Sequence, residues 1–340
     1  MTTETIKPTL DNRRFFHSFP RPKKKDHPSA TLDRGLRILK LMRDTGLILA
    51  PEVVDWDLTS LGVAEKEKLQ FLQRRACFTE LSFDELPQHA ETFGPISLAF
   101  DITRLRLSGA VPVNYVPQGS ADNPASALPT LFARGVYHTQ LVLGKLRDIH
   151  RNCYPEHVKS FAPNGISPDA KFHFPKTSDG NGGVEVPISH VKALLDNVTF
   201  GSIPFDHSEA VLGALLNLYY PTDNARHGET LAYYRQREWR LFGGGFNLNG
   251  RPTASPLTGP QRTELEAIDP HFWQRTERYR VGLEEHSGTR SELALRYTPS
   301  DRFDFLELVE AIYAPPGAID KIKEVVGTKV PIHPIGHVGA

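Results

Sequence analysis

The chain is predicted to be α+β, built on a mixed and largely antiparallel sheet flanked by helices. Three stretches carry that prediction. Between Arg75 and Pro117 strand candidates alternate with short helical turns. Over Leu131–Asn152 apolar residues (Leu131, Val136, Leu141, Val142, Leu146, Ile149) recur near helical spacing. The end of the chain reads strand, helix, strand over Phe303–Ile312, Ile319–Val326 and Val330–Ile335. No internal repeat is visible. The expected organisation is a flexible N-terminus over 1–13, then a single α+β domain over 14–340, with an irregular insertion at about 118–229.

Taken in order, Arg14–Phe19 is a short aromatic strand ended by Pro20 and Pro22. RPKKKDHPS follows as a solvated loop, with phosphate binding as its functional alternative. Thr31 or Asp33 is placed to cap a helix carrying Leu36, Leu39, Leu41 and Met42, and Gly46 suits the position past its end. Glu65–Arg74 reads as a short charged helix. Cys77-Phe78 opens the next strand, with Cys77 expected as a small buried hydrophobe. Phe83–Phe93 is a short acidic amphipathic helix that Gly94-Pro95 ends, and Thr79 and Glu80 are placed to cap it. Ile96–Phe100 and Val111–Val116 are strands on either side of a helical turn, Asp101–Leu107. The composition of QGSADNPAS predicts a loop or lid. Residues 154–187 are rich in Pro, Gly, Asn and Asp and read as an irregular connection. Ser208–Tyr220 is a further helix, Thr230–Phe242 a strand, and the glycines at 243–245 a hairpin turn. Residues 251–295 give no clear pattern.

Composition excludes several classes. Hydrophobic residues make up 39% and charged residues 24% of the 340, the balance of a globular protein. Lys plus Arg (40) equals Asp plus Glu (40), so no global field favours a polyanion and a nucleic-acid partner is not expected. Cys77 and Cys153 cannot make a disulfide framework or a cysteine metal site. No apolar run approaches the ~20 residues that span a bilayer, and no signal core opens the chain. A cytoplasmic protein without a membrane partner is the expectation. The 14 histidines are scattered and form no tight set with carboxylates, so no metal is expected. There is no Walker loop, G-x-G-x-x-G, G-x-S-x-G or H-E-x-x-H.

The chemistry candidate is Glu238. In a strand, Gln236, Glu238 and Arg240 share one face. A carboxylate flanked by an amide and a guanidinium is held ionised and oriented, as electrostatic catalysis requires. The same pattern also describes a solvated edge strand whose Glu–Arg pair is worth little. His17 ends the first aromatic strand, where a histidine is either a hydrogen-bonded core residue or a catalytic one. His89 reads as part of a helix's polar face.

Read together, CFTELSFDELPQHAETFGPISLAFD, GAVPVNYVP and the later YYRQREWR resemble the AbiGi-type abortive-infection family of phage-resistance proteins. The resemblance covers about 14–117 and 230–242, and little of it falls in 118–229. It implies the antitoxin, regulatory half of a toxin–antitoxin pair whose toxin is nucleotidyltransferase-like. The order of a His on the first strand, a hydroxyl on a middle strand and a Glu on a late strand is also similar to ADP-ribosyltransferase folds. That similarity implies a split sheet and a catalytic set of His17, Thr79, Gln236 and Glu238. It also implies NAD as cofactor, held by His17 and Arg240. An acidic pair is common where this chain has Arg235-Gln236. The alternative function is thus an NAD-dependent ADP-ribosyltransferase that modifies a protein or nucleic-acid target.

Overall fold

The strand at the centre of the molecule is fixed by an alternation that the charged residues before it obscure. Leu69–Ser82 forms one continuous strand of 14 residues, β3 in chain order. Leu69–Arg74 was expected to be helical. Phe71, Gln73 and Arg75 are buried while Gln70, Leu72 and Arg74 are only partly so, a period of two that suits a strand. The computed structural model describes residues 13–24, 26–56, 69–116, 128–153, 170–174, 183–198, 212, 215–221, 237–243, 252–281, 284–300 and 303–335. The loop or lid at QGSADNPAS, residues 154–169, residues 208–211 and 213–214 of the helix expected over Ser208–Tyr220, residues 230–236 and Gly244-Gly245 lie outside these, and the end of that expected helix, Tyr219-Tyr220, is strand.

The chain divides into two compact units, Met1–Thr130 with Asn217–Ala340, and Leu131–Leu216. The first is built on a ten-stranded mixed sheet. Its strands are β1 (Arg13–Phe19), β2 (Ile48–Trp56), β3, β4 (Ile96–Phe100), β5 (Val111–Pro112), β10 (Glu238–Phe242), β11 (Ala254–Pro256), β14 (Leu295–Tyr297), β15 (Val309–Ala314) and β16 (Ile332–Pro334). Their order is β11-β14-β2-β3-β1-β4-β15-β16, with β10 pairing β3 and β5. The β15–β16 pair is parallel and the other pairs are antiparallel. A parallel pair, β6 (Asn114–Val116) with β9 (Tyr219–Pro221), and an antiparallel ribbon, β12 (Thr276–Val281) with β13 (Glu284–Thr289), complete the strands of this unit.

One face of the sheet carries the main core: Phe15, Phe19, Phe78, Leu98, Phe100, Leu241 and Ile312 are buried there. Helices close it. Helix α1 (Pro28–Thr45) starts at His27, not at Thr31 or Asp33, because Pro28 at the first turn needs no N–H partner. It buries Leu39, Leu41 and Met42 and stops at Gly46, whose φ of 96° favours glycine. The late helix Ile319–Val326 buries Ile322 and Val326 on the same core. The expected strand over Phe303–Ile312 begins later, at Val309, because Asp304 caps a 3₁₀ turn at Phe305–Leu308.

The second face is covered differently. A smaller cluster of Phe16, Leu81, Leu86, Ala99 and Ala311 lies under α2 (Leu86–Phe93). Thr79 and Glu80 do not cap that segment. They are strand residues, and the capping box is Ser82 with Glu85. α3 (Ile102–Leu107) begins on Asp101, whose carboxylate accepts from the Arg104 N–H at 2.8 Å.

In the second unit, α4 (Leu128–Cys153) matches the long helix read from the apolar spacing. It is followed by the β7–β8 pair (Lys171–Phe174, Val184–Pro187) and α5 (Ile188–Val198). Cys153 and Val191 are its buried centre, with Ile149, Phe172, Val186 and Ile188 packed on them.

Candidate functional site

Register decides which of the sequence-derived residues meet. Thr79 is the cross-strand partner of Phe16 on one side and of Glu238 on the other. Direct partners share a face, so Thr79 and Glu238 stand together on the second face of the sheet. His17, next to Phe16 in the chain, points the other way. Its ring lies 5.5 Å from Phe19 and 5.8 Å from Phe78, on the main-core side. Its Nδ1 is 2.8 Å from the Cys77 carbonyl, where the N–H of the neutral ring donates. Burial lowers the pKa of His17, with the Cys77 bond opposing that shift. Gln236 lies outside the described residues.

Glu238 sits in a buried polar network. Arg240 Nε donates to its Oε1 at 2.8 Å and Nη2 to its Oε2 at 3.2 Å. The Tyr115 hydroxyl donates to the same carboxylate. Burial alone would raise the carboxyl's pKa. Arg240 overrides it by charge and hydrogen bond, Arg75 adds to this, and the group is held at about 2. Cys77 is therefore not packed as a plain hydrophobe: it shares the face of Glu238, and burial followed by the Glu238 charge pushes its thiol up to about 11. That value makes it a poor nucleophile.

The network continues along β3. Gln73, with no exposed surface, accepts from Arg75 Nη1 at 2.6 Å and from Arg240 Nη1 at 3.3 Å through one amide oxygen. Arg75 pairs with Glu52, to which the Tyr220 hydroxyl donates at 3.0 Å. The Tyr220 ring lies under both guanidiniums, 5.2 Å from Arg75 Cζ and 4.5 Å from Arg240 Cζ. Two carboxylates and two guanidiniums thus cancel, and each is hydrogen-bonded. Such a closed set stabilises little over an apolar core, but breaking it is costly. Glu52, Gln73, Arg75, Tyr115 and Tyr220 were not legible as site residues, because their partners come from distant strands.

His89 was also missed. It reaches from α2 to the sheet, with Nε2 3.1 Å from Thr79 Oγ1 and Nδ1 3.1 Å from Ser18 Oγ. Ser18 Oγ lies 2.7 Å from Ser97 Oγ. This chain bridges β1 and β3 where their pairing stops at Phe16 while β1 stays paired to β4 as far as Phe19. Burial, then the nearby His17, lowers the pKa of His89 to about 4 from 6.5. A depressed histidine contributes stability above its unfolded pKa and loses it as pH falls through the folded value. Between pH 6.5 and 4 the protein should lose up to about 3 kcal/mol from this group. His89→Gln should flatten that part of a urea-stability profile measured against pH.

His17 and Arg240 therefore do not form one seat for a dinucleotide. They face opposite sides of the sheet, and the Arg240 guanidinium, 2% exposed, is spent on Glu238 and Gln73. Among the described residues no three His, Cys, Asp or Glu side chains are grouped to hold a metal. None of the helices there is long and apolar enough to cross a membrane. No family model, curated protein or solved structure matches this chain.

Proposed function

We propose that the protein works by binding, as the antitoxin or regulatory half of a cytoplasmic abortive-infection pair of the AbiGi type. The family part of this reading rests on the resemblance of the Cys77–Pro117 block and the Glu238-Trp239-Arg240 strand. The observation that carries the non-enzymatic part is the state of Glu238. Both its oxygens are occupied, Oε1 by Arg240 and Oε2 by Arg240 and Tyr115. A transferase built on an ADP-ribosyltransferase-like core needs that carboxylate and His17 in one pocket, and strand parity separates them. On this reading Glu238 stiffens the sheet, and a surface of the molecule meets a nucleotidyltransferase-like toxin.

The test combines two assays on the full chain. Incubation with labelled NAD and cell lysate should give neither nicotinamide release nor label transfer. Co-expression with a nucleotidyltransferase encoded beside the gene should relieve that toxin's growth inhibition, equally for Glu238→Gln. Nicotinamide release that Glu238→Gln abolishes would reverse the assignment in favour of NAD-dependent ADP-ribosyl transfer.

A further inference from the structure

The second face of the sheet carries a depression of ≈ 260 Å³ where β1, β4, β15 and β16 run side by side. Register builds it. Phe16, Ala99 and Ala311 are direct partners in one row across three strands, so two alanines stand between rows of longer side chains. On one side lies the next row, Tyr313 paired with His333. On the other lie Arg14 and Glu310, joined by hydrogen bonds of 2.6 and 3.1 Å. The β15 register shifts between Val309 and Ala311, and the extra residue, Glu310, reaches Arg14 on this face. Phe83, 39% exposed, adds a wall from the turn after β3.

The walls are aromatic and their polar groups are open. The Tyr313 ring lies 5.4 Å from Phe83 and 5.4 Å from His333. Rings that close are in contact, so a planar guest lies on the two alanines with the rings at its rim. Among the described residues neither the Tyr313 hydroxyl nor the His333 ring nitrogens make a hydrogen bond. Arg14 and Glu310 cancel, so a charged guest gains from one what it loses to the other. The volume is below the ~300–1,000 Å³ of a drug-sized site, which limits the guest to about one ring system. A neutral ring with donors and acceptors along its edge meets all of these conditions.

We propose that this depression binds a single nucleobase, free or as a nucleoside, lying on Ala99 and Ala311 with its edge on the Tyr313 hydroxyl and the His333 ring. The site shares no residue with the Glu238 network and is independent of the antitoxin reading. Because Glu310 engages Arg14, a phosphate on the ligand adds nothing.

The experiment is isothermal titration calorimetry of the full chain with adenosine, for which a dissociation constant on the order of 0.1 mM is expected. AMP should bind no more tightly. Indole, planar but with one donor on its edge, should bind at least about five-fold more weakly. Phe83→Ala should weaken adenosine binding about ten-fold, the loss of one base–ring contact. Tyr313→Phe should weaken it about five-fold. Ala311→Leu, which fills the depression, should abolish it. Circular dichroism melting establishes which variants are folded, and the part-exposed Phe83 keeps the test decisive if Ala311→Leu does not fold. The proposal is overturned by no binding of adenosine, or by Phe83→Ala and Tyr313→Phe variants that both bind as the parent does. Indole binding as tightly as adenosine would reduce the site to an apolar patch and overturn it. So would AMP binding far more tightly than adenosine, which would mark an anion site.

Discussion

Arg240→Met should lower the unfolding free energy by about 3–5 kcal/mol, because it leaves Glu238 charged and buried without its main partner. Adding Glu238→Leu should return much of that loss, since removing both charges also removes the cost of desolvating them. The residual deficit belongs to Tyr115 and Gln73, each of which loses a partner. The three tryptophans, Trp56, Trp239 and Trp273, all lie in the first unit. Urea titration followed by their fluorescence therefore reports the unit that holds the network. A single substitution costing under about 1 kcal/mol would mean that water already reaches Glu238.

Gly94→Ala is the second large effect, at roughly 3–5 kcal/mol from backbone strain and overpacking combined. Gly94 ends α2 with φ at 138°, a value side chains rarely allow. A Cβ there would meet the Phe19 carbonyl carbon at 2.3 Å, and backbone cannot step aside as a flexible side chain can. Relieving the clash moves α2 away from β1 and pulls His89 from Thr79 and Ser18. NMR titration should then find His89 back near pH 6.5. Gly109→Ala is the control: its φ is 95°, but nothing lies within 4 Å of the new Cβ. It should cost only about 1 kcal/mol.

Local pattern made part of this molecule legible. The aromatic strand at Phe15–Phe19, the buried run Ile96–Phe100 and helix α4 all announce themselves by periodicity within one segment. The turn glycines Gly46 and Gly94 mark helix ends for a reason a single residue carries. Leu69–Arg74 was misread because Gln73 and Arg75 look solvent-facing until Glu52 and Arg240 are known to lie across from them. The β12–β13 ribbon was unreadable for the same reason: its alternation is of charge and aromatic groups, and Glu277, buried, depends on Arg290 for its place. Within the candidate site, spacing correctly joined Glu238 to Arg240 but could not tell that His17 has the wrong parity. That parity is a property of pairing with β3, not of β1 itself.

The sheet path ends at β11 and β16, with β5 ending its side branch. Each of these strands contains a proline: Pro256, Pro334 and Pro112. On β16, Pro331 and Ile335 bond inward to β15, so Ile332 and Pro334 turn outward and only Ile332 offers an N–H. A visiting strand therefore finds an interrupted row of donors at each of these three ends. Growth of the sheet from copy to copy, the route by which flat β-structures form fibrils, is blunted in the native state. Concentrated stocks should fail, when they fail, through unfolding first.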